Sequence, residues 1–136
     1  MIKKILKVVI LTLAVTVASQ SAAFLSVNNQ TVNQVNANEI EVLGKPGIRK
    51  KDFWCAVGDY LSRNKVSWRT KVYVKSGIGQ GITASSNNAV VFTLNPKVSG
   101  VEIYTKNLVT DILAVGYGRS VTGAFDECRF LLLGFF

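Results

Sequence analysis

The chain has 136 residues, a formal net charge of +8 and no histidine. That length holds one domain with a modest core. The missing histidine excludes serine–histidine and cysteine–histidine catalysis and every histidine-based metal site.

Residues 1–23 read MIKKILKVVILTLAVTVASQSAA. Lys3, Lys4 and Lys7 precede an apolar run, which is followed by small residues with Ser21 and Ala23 at the cleavage positions. This is the three-part plan of a secretory signal peptide. The run is shorter than the roughly 20 residues of a comfortable membrane span; an uncleaved anchor is the alternative. Cleavage after Ala23 gives a secreted or periplasmic protein. Its 13 basic and eight acidic residues leave a net charge of +5. Such a compartment favours a disulfide between Cys55 and Cys128 over free thiols or pairing between chains.

Residues 24–38 are uncharged and rich in Asn, Gln, Ser, Thr and Val. They have no helical period and read as a flexible polar leader. The domain proper then runs over 39–136. Residues 39–43 alternate acidic and apolar, as a short strand does, and Gly44, Pro46 and Gly47 break the pattern. A helix is expected over 52–63, capped by Asp52. Its core stripe is Phe53, Trp54, Val57, Tyr60 and Leu61, with Asp59 paired to Arg63. Residues 66–75 alternate strictly and predict a half-buried strand. Further strands are expected over 89–94 and 101–105. Residues 107–116 fit either a helix or a buried strand. Residues 117–127 read as loop. The apolar end, from Cys128 through FLLLGFF, predicts an interior strand at 128–135 rather than a barrel strand, because it is apolar on both faces. The fold class is α+β: one helix packed on an antiparallel sheet and tied by Cys55 to the last strand.

Gly79, Gly81 and Ala84 match a dinucleotide-binding spacing. Such a loop must open a helix whose N-terminus holds the phosphates. Here a loop and then a strand follow. The segment 76–88 therefore reads as a long hairpin connection with glycines at positive φ, and no nucleotide cofactor is expected. Asp52 and Asp59, seven apart on one helix, have the separation of an inverting carboxylate pair. A cap at Asp52 and an Asp59–Arg63 ion pair account for them better. No metal site is expected.

Residues 45–75 carry nine basic and two acidic side chains. Arg69, Lys71, Tyr73 and Lys75 share one face of the expected strand, with Lys50 and Lys51 close by in sequence. The stretch is either a solvated face whose lysines guard a sheet edge or a site for polyanions, anionic lipid or an acidic protein. FWCAVGDYL, TKVYVKSGIGQGIT and AVVFTL together resemble small secreted bacterial proteins over residues 52–95. That resemblance implies an envelope setting and assigns neither activity nor site. The leading functional reading is an exported, non-enzymatic binding or interaction protein. An envelope structural or membrane-associated protein is the second reading, and a small carboxylate hydrolase the third.

Overall fold

A computed structural model of the chain describes residues 23–129. The predicted signal segment, up to residue 22, and the apolar end, from residue 130, lie outside the described residues. The fold is α+β, with a six-stranded, wholly antiparallel sheet. In chain order the elements are β1 (Phe24–Leu25), β2 (Thr31–Gln34), β3 (Glu39–Leu43), α1 (Lys50–Arg63), β4 (Lys71–Gly79), β5 (Ala89–Thr93), β6 (Gly118–Ser120) and α2 (Val121–Phe125). A 3-10 turn, Asp126–Cys128, follows α2. The sheet order is β1-β2-β3-β5-β4-β6.

The expected flexible leader is instead a hairpin that joins the sheet. Phe24 pairs with Val32, and β2 pairs along its length with β3. Its polar side chains serve its own backbone. Asn29 takes the left-handed φ of +63° that the turn requires. Ser26 Oγ accepts from Gln30 N–H, and Gln30 Oε1 accepts from Lys45 N–H. Val32 enters the core, and Phe24 meets the Tyr60 ring edge-on at 5.2 Å.

Helix α1 begins two residues before the expected start. Arg49 is its N-cap, and Asp52 stands at the third position and accepts from the Arg49 N–H at 2.8 Å. That is the return half of a capping box. The buried surface is far wider than one stripe: Phe53 through Asp59 and Leu61 are all buried, whereas Tyr60 is half-buried and donates to Gln34. The cause is a second layer. The sheet covers one side of α1, through Ile40, Val42, Val72, Val74, Val90 and Phe92. Helix α2 and the 3-10 turn cover the other. A Cβ on Gly58 would lie 2.5 Å from the Phe125 backbone nitrogen and 2.8 Å from the Ala124 carbonyl carbon. The bare glycine is what lets α2 seat there.

Cys55 and Cys128 form the expected disulfide, with Cα atoms 4.9 Å apart. Its second half sits in the 3-10 turn rather than in a strand, so the expected strand does not begin at Cys128. The bridge closes a separation of 73 residues, for which the chain-entropy account gives about 4 kcal/mol.

The strand expected over 66–75 begins only at Lys71 and runs on to Gly79. Lys65 takes a φ of +61°, and Thr70 N–H donates to Ser67 O, so 66–70 is a turn. Residues 101–105 are irregular: Tyr104 donates one ladder-like bond to Gly116 O and the pairing goes no further. Residues 107–116 are neither helix nor strand but a chain of turns, anchored where Trp54 Nε1 donates to Ile112 O at 2.8 Å. The loop expected over 117–127 holds β6, α2 and the start of the 3-10 turn.

Replacing Gly58 by Ala tests the seat of α2. Alanine favours the helix by up to about 1 kcal/mol, but the new methyl must displace α2 backbone, at roughly 1–3 kcal/mol. The expected result is a lower urea midpoint than wild type. A midpoint raised above wild type would show that the contact at Gly58 does not constrain the layer.

Candidate functional site

The side of the sheet away from α1 is covered as well, by the segments that follow β4 and β5. All five residues of β5 are buried. Glu39 and Glu41, the acidic positions of the 39–43 alternation, are both buried there. Glu41 Oε2 accepts from Ile82 N–H at 2.6 Å. Its Oε1 accepts from Thr83 N–H at 2.9 Å and from Thr83 Oγ1 at 2.6 Å. Glu39 accepts from Lys75 Nζ at 2.7 Å and Ser99 Oγ at 2.8 Å.

These contacts settle the glycine loop. It leads into strand β5, with no helix between. The Ile82 and Thr83 N–H groups, which a phosphate loop would turn toward its ligand, are given to a carboxylate of the protein itself. Gly81 N–H is closed onto Ser86 O. The glycines also serve a different end from the one expected. Positive φ belongs to Gly47, Gly100 and Gly116, not to Gly79 or Gly81. Gly81 instead admits the Ala84 carbonyl, whose oxygen would stand 2.3 Å from a Cβ. An open, uncharged depression of about 370 Å³ remains over Gln80, Gly81, Ser85, Ser86 and Asn87.

The candidate carboxylate pair is occupied in the same way. Asp52 holds the start of α1. Asp59, buried, accepts from Val27 N–H at 2.7 Å and from Arg63 Nε at 2.9 Å, so it ties the N-terminal hairpin to the helix. Among the described residues, no three His, Cys, Asp or Glu side chains gather as metal ligands.

The six candidate anion-binding residues do not form one face. Lys50 and Lys51 stand on the first turn of α1, a helix about 20 Å long, while Arg69 and Lys71 follow its other end in the chain. Lys50 is bridged to Asp111 at 3.0 Å, and Lys75 is committed to Glu39. Tyr73 lies across Gly118 of β6, where a Cβ would fall 2.4 Å from its ring, so that ring packs the sheet. Arg69 and Lys71 remain exposed.

Sequence reasoning missed two neighbours. Lys65 is exposed at the end of α1, and Trp68, placed inward by the strand pattern, is 50 % exposed in the turn. The turn signal was weak, because Val66-Ser-Trp-Arg-Thr keeps the alternation without a Gly or Pro to interrupt it. Lys65 at positive φ is a conformation that no composition rule announces.

Charge is sorted by pairing. All eight acidic residues lie among the described residues. Asp52, Asp59, Asp111, Asp126, Glu39 and Glu127 are each in an ion pair. Glu41 is buried under its loop, which leaves Glu102 as the one exposed acid outside these pairs. Lys45, Lys65, Arg69, Lys71, Lys97 and Lys106 are in none of the six pairs. Lys65, Arg69 and Lys71 fall within seven consecutive residues around Trp68.

A scan against protein-family models, a search of curated proteins and a search of solved structures each found no match for this chain. The resemblance over 52–95 gains no support from them.

Two hydrogen-bonded acids set an acid limit on stability. The hydrogen bond from Lys75 holds the Glu39 carboxyl below its ordinary 4.5, against the opposing effect of burial, with Ser99 adding to the lowering. Asp111 is held below 3.8 by the Leu113 N–H and by Lys50. A carboxyl with a lowered folded-state pKa adds stability that is complete above its unfolded value and is lost as pH falls through the folded one. The urea midpoint should therefore hold at neutral pH and fall on going from about pH 5 to pH 3. Glu39→Gln should flatten that fall. An acid limb identical to wild type would show that Glu39 contributes nothing to it.

Proposed function

We propose that this is an exported, non-enzymatic binding protein that engages polyanions through the cationic corner Lys65, Arg69 and Lys71. The carrying observation is the commitment of the acids to ion pairs and, for Glu41, to the interior. The acids that could neutralise the surface are spent inside the fold or in ion pairs, while these three cations are exposed and outside those pairs. A surface of this kind releases counterions when it meets a polyanion, and its affinity then falls with salt. Envelope or extracellular anions are the available class: anionic lipid, acidic glycans or an acidic protein.

Export rests on the signal pattern of residues 1–23 and is supported by the disulfide, which persists in oxidising compartments. Phe24, the residue after the expected cleavage site, is paired with Val32. The intact mass of the exported protein tests this: it should start at Phe24 and rise on reduction. A full-length mass would reject cleavage.

Heparin chromatography tests the binding reading. Wild-type protein should be retained and eluted by salt. Replacing Lys65, Arg69 and Lys71 by Ala should move elution to clearly lower salt and reduce the salt slope by about one for each cation removed from the interface. Replacing Lys45, Lys97 and Lys106, which lie elsewhere in the chain, is the charge-matched comparison. Equal shifts from both sets would mean that net charge acts without a site.

A further inference from the structure

We propose that the corner around Trp68 docks on an anionic lipid bilayer, with the Trp68 indole at the lipid–water boundary and Lys65, Arg69 and Lys71 on the headgroups. This rests on the cationic-corner reading and narrows its ligand class. A soluble polyanion would need only the cations. A bilayer surface also gives a half-exposed indole something to do, because tryptophan has an apolar body and a polar N–H suited to that boundary.

The chain has two tryptophans, and the fold treats them in opposite ways. Trp54 is wholly buried, with its N–H bonded to Ile112 O. Trp68 is 50 % exposed, yet it is held in place. Its carbonyl accepts from Thr122 N–H at 3.2 Å and Thr122 Oγ1 at 3.1 Å, and Thr70 O accepts from Val121 N–H at 2.9 Å. The indole meets the Phe125 ring edge-on at 5.6 Å. A side chain fixed this way loses little further freedom on docking.

The flanking charge complements the proposed surface. Lys65 and Lys71 are six residues apart, so their Cα atoms lie within about 20 Å of each other even if the chain were fully extended. Basic side chains at that range act together on an anionic leaflet. Among the described residues no helix is long and apolar enough to cross a membrane, so the contact proposed is with the surface.

Tryptophan emission reads the proposal directly, because Trp54 is already shielded and Trp68 is not. The exported protein is titrated with vesicles of phosphatidylglycerol and phosphatidylcholine, and separately with phosphatidylcholine alone. The expected result is co-sedimentation with the anionic vesicles only, with a blue shift of emission and quenching by lipids brominated in the acyl chain, all reversed by salt. Trp68→Phe should keep the Trp54 emission of a folded protein, abolish the shift and weaken co-sedimentation several-fold. Co-sedimentation without a Trp68 shift would overturn the proposal, since another face would then meet the lipid. Retention on heparin without vesicle binding would overturn it while leaving the polyanion reading standing. Failure of both would remove the reading beneath it. Quenching by a single-stranded oligonucleotide without vesicle binding would assign the corner to base stacking instead.

Discussion

A carboxylate withdrawn from water is tolerated only when its oxygens are met by donors; left unmet, it costs several kcal/mol. Glu41 is fully buried on the central part of the sheet, and three donors from Ile82 and Thr83 meet it. The segment after β4 must therefore lie back across the sheet; it has no freedom to extend into solvent. That one requirement adds a covering layer on the side of the sheet away from α1. It buries β5 on both faces, and Asn33 joins it by donating to Thr83 Oγ1 at 2.9 Å. Glu39 repeats the arrangement one pleat along: it draws Lys75 across from β4 and Ser99 from the segment after β5.

The same constraint shapes the outside. Six of the eight acids each neutralise one cation in an ion pair, and Glu41 is spent inside the fold. Asp59 does two things at once: buried, it accepts from Val27 N–H and so tethers the hairpin, and it pairs with the exposed Arg63. The surplus of the chain after residue 23 is therefore left on the cations outside these pairs. The cations that remain outside ion pairs concentrate where α1 ends and the turn to β4 begins. Stability and surface chemistry are set by one distribution of eight carboxylates.

Much of this architecture was legible from periodicity. Val72 and Val74 alternate with Lys71 and Tyr73, and α1 repeats its apolar residues at three and four, so both elements and the α+β class could be read. The disulfide followed from compartment. The hairpin over 24–34 escaped because its order comes from side-chain-to-backbone bonds such as Ser26 to Gln30, which have no hydrophobic period. The inward acids escaped because alternation tells which residues share a face and not whether that face is later covered. Glycine is a poor helix former, although at Gly58 its missing side chain is what α2 requires. Of the six candidate anion-binding residues, Arg69 and Lys71 stay exposed and outside ion pairs. Lys50 and Lys75 were already matched to acids distant in sequence, and linear charge counting cannot see such matches.

Trp68 shows how one local conformation decides what a surface offers. Continued as a strand from residue 66, it would fall on the same side as Val72 and Val74, among the core residues. Lys65 at positive φ and the Ser67–Thr70 turn delay the strand to Lys71, and the indole is carried outward. Helix α2 then fixes that turn through Val121 and Thr122. Helix α2 is itself held to α1 by the bare backbone at Gly58 and by the disulfide just beyond it. The Cys55–Cys128 bridge therefore supports more than global stability. It anchors the layer whose far edge holds the turn that presents Trp68 between Lys65 and Lys71.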